Sequence, residues 1–127
     1  MFDKIIIPQA VKDECKDFVV LRFIRSSFVQ VKPVSLLLFD SLGKGEREAV
    51  SLAVEEGIKT IILDDKKGWN KALEYGLEPI QTITVLELAK DMGLIPSVKE
   101  MIHKLIENGE GITKGEYLLA LKMAGEA

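Results

Sequence analysis

The chain has 127 residues, 47% of them hydrophobic and 29% charged, with a formal net charge of −3. That size fits one domain of soluble globular composition, and the charge excludes a long-range basic field, so nucleic-acid binding has to rest on local lysines or bound metal. The single cysteine, Cys15, excludes an internal disulfide and a thiolate metal cluster; with no signal-like or membrane-length apolar run, a cytoplasmic setting is expected.

In chain order, residues 4 to 7 read as a first short strand, and Pro8 marks the turn into a helix. On that helix Val11, Glu14, Cys15 and Phe18 follow at three- and four-residue steps, which puts Glu14 on the apolar side. The plainer alternative is a boundary glutamate whose stem packs while its head reaches water. Asp13 and Asp17 read as merely exposed. Residues 28 to 31 are a second strand ending at Lys32-Pro33, and residues 36 to 39 are a short helix or turn.

Residues 42 to 65 form the central unit. After Gly45, the residues Glu46, Ala49, Val50, Ala53 and Val54 recur at the spacing of one helical face, so Glu46 shares the buried side. Glu48 aligns with Leu52 and Glu55 on a mixed face and reads as a solvated carboxylate. Gly57 is the stop, and residues 58 to 63 are an apolar run without alternation, the pattern of a strand covered on both faces of a parallel sheet. Asp64 and Asp65 then stand at its carboxyl end, where open α/β sheets bind ligands.

Residues 66 to 75 are expected to be a helix closed by Gly76, and residues 79 to 82 a strand. This alternation argues for a parallel α/β sheet. Three helices close the chain, announced by Thr84-Val-Leu-Glu87, Ser97-Val-Lys-Glu100 and Thr113-Lys-Gly-Glu116, each with the form of a capping box. No repeat or linker divides the sequence, so residues 1 to 127 are expected to form a single domain.

Cysteine-histidine catalysis would need Cys15 and His103, which are far apart and lack a local nucleophile signature. Gly43-Lys44-Gly45 enters a helix without the Walker spacing, and is suited only to weak anion contact. The remaining candidates are Glu14, Glu46, Asp64 and Asp65. Carboxylates gathered at one sheet edge repel unless a cation lies between them, and all-oxygen ligands favour Mg²⁺ or Mn²⁺. Such a site polarises a phosphoryl oxygen and generates hydroxide for attack on a phosphodiester.

Gly45-Glu-Arg-Glu-Ala-Val50, Leu63-Asp-Asp65, Tyr75-Gly-Leu77, Glu87-Leu-Ala-Lys90, Gly93-Leu-Ile-Pro96 and Ala124-Gly-Glu126, in this order, resemble the PIN-domain family. The closer resemblance is to its branch of predicted nucleic-acid-binding proteins called DUF3368. It implies a PIN-like three-layer α/β/α fold and a metal-dependent ribonuclease site of four acids, and many relatives are toxins of toxin-antitoxin pairs. By position, Glu14 resembles the family's second acid, Glu46 the third, and Asp65, or else Asp64, the fourth. The first acid belongs to an opening strand with an Asp-Thr/Ser motif. This chain starts after the place of that strand, so an N-terminally truncated fold is expected. Trp69 replaces a residue that is often basic in relatives, and Gln81 and Thr84 stand where a Gly-Thr-x-Gly turn is usual.

Lys44, Arg47, Lys66 and Lys67 flank these acids and are placed to contact RNA phosphates, the plainer alternative being a solvated rim. Trp69, on a helical face with Leu73, is expected to pack in a core or interface. Two functions of different class follow: an Mg²⁺- or Mn²⁺-dependent ribonuclease, or an inactive PIN-like module that binds an antitoxin or itself. A missing central strand would leave unpaired edges on its neighbours, so a homodimer is expected through residues 5 to 7 or 58 to 63.

Overall fold

Three consecutive isoleucines, β-branched and stiff at χ1, open the first strand, β1 (Ile5–Pro8), and the proline ends it by withholding an N–H. Helix α1 (Gln9–Glu14) follows directly. Strand β2 (Val29–Lys32) lies parallel to β1, with Ile5 beside Val29 and Pro8 beside Lys32. Then come α2 (Lys44–Glu56), β3 (Thr60–Ile62), α3 (Lys66–Glu74) and β4 (Glu78–Ile80). Strand β4 is parallel to β3, with Thr60 beside Glu78. Helices α4 (Thr82–Asp91), α5 (Val98–Glu107) and α6 (Lys114–Met123) complete the chain.

This computed structural model describes residues 4–14 and 29–127. The expectations for Cys15, Asp17, Phe18 and Phe28 fall outside them. The described residues gather into two units, one of residues up to Ile80 and one of Gln81–Ala127. The architecture is the expected mixed α/β with parallel strands, PIN-like in its alternation, followed by a helical last third.

In the first unit Val50, fully buried, packs with Ile61, Leu63, Ala72 and Leu77, and Phe39, Ala49 and Ala53 close over them. Each large apolar side chain so buried stabilises the fold by roughly 1.5–3 kcal/mol. The face expected for α2 needs correction: Leu52 is only 3% exposed, whereas Val54 is 38% exposed. The helix packs against α1 and β1 as well as α3, so its buried arc is broader than one stripe. Glu48 is not simply solvated either, because its Oε1 accepts from the Ala10 N–H at 3.0 Å, satisfying an otherwise orphaned donor in the first turn of α1.

The strand expected over residues 58 to 63 is shorter and covered differently. Gly57 does end α2 in the left-handed conformation, with φ 67°, but Ile58 stays in the helix-ending turn, its N–H bonded to the Ala53 carbonyl at 2.9 Å. Ile61 and Leu63 are buried while Ile62 is 43% exposed, so β3 alternates and has one covered face. Residues 36 to 39 form neither helix nor strand. They are tied down by Leu38 N–H to Ser51 Oγ at 3.2 Å and by the Phe39–Tyr75 ring stack.

Among the described residues the strands make two separate parallel pairs, β1 with β2 and β3 with β4. Between β1 and β3 lies an apolar cleft of about 360 Å³, lined by Ile5, Ile7 and Val11 on one side, Ile62 on the other, and Leu52 and Ala53 of α2.

In the second unit Val98, Ile102 and Ala120 form the buried centre. Ser97 and Thr113 begin α5 and α6 as their capping patterns require, their hydroxyls accepting from the Glu100 and Glu116 N–H groups at 3.2 and 3.1 Å. The box at Thr84 does not start a helix: α4 begins two residues earlier, with Gln81 at its N-cap and no side-chain cap bond. No helix among the described residues is long and apolar enough to cross a membrane.

Candidate active site

The starts of two helices and the described part of a third supply the sequence-derived acids. Glu14 is the last described residue of α1 and is exposed. Its carboxylate lies over Gly45 in the first turn of α2, so close that a Cβ at Gly45 would stand 2.8 Å from Oε1 and 3.0 Å from Oε2. Glu46, one residue on, is half-buried and bends back along the same turn; a Cβ at Gly43 would be 2.6 Å from its Oε2. The stem of Glu46 also faces the first turn of α3, its Cγ 3.6 Å from where a Cβ on Gly68 would be. Asp65 is the N-cap of α3, with Oδ2 accepting from the Gly68 N–H at 3.0 Å. Asp64, exposed, precedes it.

The arrangement follows from local chemistry. The amino ends of α2 and α3 carry the positive end of the helix dipole and unsatisfied N–H groups, which favour nearby carboxylates. Gly45, buried, leaves the room into which the Glu14 carboxylate reaches, and Gly43 leaves that for Glu46 Oε2, whereas a Cβ on Gly68 would make only ordinary contact with the Glu46 stem. Read from sequence, Gly43 and Gly45 are a helix entry suited to weak anion contact, not room for the acids. The signal at Gly45 was available, since glycine inside a helix costs about 1 kcal/mol relative to alanine and so calls for a reason such as close approach.

Glu14 and Glu46 thus meet at one helical turn, and Glu46 and Asp65 share Gly68. The donors are all carboxylate oxygens, the chemistry a hard divalent cation takes. Their spacing is looser than a ligand shell, however: no three His, Cys, Asp or Glu side chains among the described residues stand together as a metal-holding group. One oxygen of Asp65 is already engaged as a cap.

Of the flanking cations, Lys44, Lys66 and Lys67 are exposed at the same two helix starts. Arg47 is half-buried, and its Nε is enclosed without a hydrogen-bond partner among the described residues. Trp69 is half-buried, in keeping with a packing role. His103 is on the helical unit, its Nε2 2.9 Å from the Tyr117 hydroxyl and its ring stacked on that of Tyr117.

No curated protein and no solved structure matches the chain. A family model, DUF3368, described as a PIN domain, matches residues 1–126.

Proposed function

Because the chain belongs to the PIN-domain family DUF3368, we propose that it is a metal-dependent ribonuclease of the kind that serves as the toxin of a toxin-antitoxin pair. The observation that carries this reading is the approach of Glu14 and Glu46 to one turn of α2, with Asp65 across Gly68. Glu14, Glu46 and Asp65, with Asp64 beside them, are the residues that would hold Mg²⁺ or Mn²⁺. A hard divalent cation held there would supply the Lewis acidity that phosphodiester hydrolysis needs. Lys44, Arg47, Lys66 and Lys67 position the RNA by its phosphates without choosing sequence. An antitoxin protein is the partner this reading calls for.

Calorimetric titration with Mn²⁺ tests it together with cleavage of single-stranded RNA. Weak binding and slow cleavage are expected, because three loosely gathered acids make an incomplete shell, and Glu46→Gln and Asp65→Asn should abolish both. Asparagine caps a helix about as well as aspartate, so the loss in Asp65→Asn reports the metal rather than the fold. Vigorous cleavage that survives both substitutions overturns the reading.

A second reading, a binding or dimerisation module, is favoured by the cleft. Among the described residues β1 and β3 are each paired on one side only, and an unpaired edge seeks another strand. In this reading a second copy of the chain pairs along β1 or β3, giving a homodimer. Sedimentation at micromolar concentration distinguishes it, since a well-folded monomer with cooperative unfolding eliminates the dimer.

A further inference from the structure

Three sequence motifs have no part in the acid site: Glu87-Leu-Ala-Lys90, Gly93-Leu-Ile-Pro96 and Ala124-Gly-Glu126. The helical unit brings all three to one point. Gly93, with φ 74°, ends α4 and lets the chain turn through Pro96 to Ser97 at the start of α5. Gly125, with φ 73°, turns the chain after α6, and the Glu126 N–H bonds the Leu121 carbonyl at 2.8 Å. The Glu126 side chain is thereby aimed at the amino end of α5. Its Oε2 accepts from the Val98 N–H at 2.8 Å and from Lys90 Nζ at 2.9 Å. Its Oε1 accepts from Ser97 Oγ at 2.9 Å and from the Lys99 N–H at 3.1 Å. Lys90 Nζ also donates to the Ala124 carbonyl at 2.6 Å.

We propose that residues 124–126 are a strap that holds α4, α5 and α6 closed, with Glu126 as its clasp. The Val98 and Lys99 N–H groups are among the donors a helix start leaves unsatisfied, and a carboxylate there gains from the helix dipole and from charge-assisted bonds. Lys90 ties the same carboxylate to α4. Ala124 packs on the Val98, Ile102 and Ala120 centre, so the strap covers the core it closes. Ser97 serves both ends, accepting from Glu100 N–H while donating to Glu126. Releasing the clasp frees the first turn of α5 and uncovers that centre.

Residue-resolved amide hydrogen exchange on the full chain tests the strap. Glu126→Gln removes the charge seen by four donors, and exchange at Val98 and Lys99 should rise roughly tenfold or more. Lys90→Met leaves the other three donors in place and should produce a smaller rise at the same two amides. Unchanged exchange there in Glu126→Gln overturns the proposal. So does an acceleration spread evenly over α4, α5 and α6, which would mean a general loss of stability. If Glu126→Gln does not fold, Lys90→Met carries the test: a rise confined to those two amides supports the strap, and an even rise or none overturns it.

Discussion

The two units treat carboxylates in opposite ways. In the helical unit Glu126 meets Lys90, Ser97, Val98 and Lys99 with both oxygens, and its charge is consumed in holding structure. In the α/β unit Glu14 and Glu46 reach instead over glycines at a helix start, and Asp65 gives one oxygen to a cap. A carboxylate whose acceptor sites are all filled has nothing to offer a ligand. Glu14 and Glu46, kept close to their neighbours by missing Cβ atoms, accept no such set of bonds from the described residues, and this separates a structural acid from a candidate functional one.

The contrast is most sharply probed at Gly45. Gly45→Ala should leave stability unchanged or raise it by up to about 1 kcal/mol, because alanine is the better helix former, while its Cβ pushes the Glu14 carboxylate aside. Mn²⁺ affinity is then expected to fall about ten- to a hundredfold, the range typical for losing support of a metal ligand. Thermal unfolding and calorimetry on one sample check both halves. A variant that binds Mn²⁺ as well as the parent would place Glu14 among the acids without a ligand role.

Acid titration probes the other side. The Lys90 ammonium, followed by the Val98 amide and aided by Lys99 and Ser97, holds the Glu126 carboxyl down to about 2, against an ordinary value of 4.5. A folded-state value lowered in this way contributes stability that is present above about 4.5 and lost as the pH falls towards about 2. Urea unfolding across that window should therefore show a steeper decline for the parent than for Glu126→Gln. Equal slopes would mean that the clasp carries no charge-dependent stability.

The smallest effect is expected at Glu87. Burial, and then the Asp91 charge four residues on, raise its carboxyl above the ordinary value. The sign is opposite to that of Glu126: the favourable contribution is present below about 4.5 and is lost as the pH rises through the raised value. At pH 7 Glu87→Gln should gain about 0.2–0.5 kcal/mol, the size of a relieved like-charge pair one helical turn apart. Chemical denaturation at pH 7 and pH 4 checks it, with the gain confined to the higher pH.

Much of the fold was legible because local chemistry specified it. Gly57 in its left-handed turn, the Ser97 and Thr113 caps and the parallel alternation of short strands with helices each depend on a few neighbouring residues. Errors arose where a residue answers to distant partners. Leu52 is buried because α2 packs on several sides, and Glu48 caps a helix 38 residues away along the chain. Ile62 faces the cleft because β3 has a covering layer on one face only. At the site, Glu46 is half-buried as its helical face suggests, but Glu14, expected on the apolar side, is exposed, and Asp65 is a helix N-cap three residues beyond the end of β3; the separation of the acids depends on tertiary placement. The role of Gly45 is a matter of volume, which periodicity does not encode.

The parallel registers also bear on how the chain reaches this structure. With Ile5 beside Val29 and Thr60 beside Glu78, neither strand pair can zip up from a hairpin turn. Each first ladder bond must wait for a long crossover to close, at an entropic cost met before any contact rewards it. Helices α5 and α6 are joined by a short turn and meet a near neighbour in sequence. The kinetic barrier of the whole chain is therefore set by β1 with β2 and β3 with β4, and while that search lasts the isoleucine-rich strands are the segments most open to aggregation during synthesis.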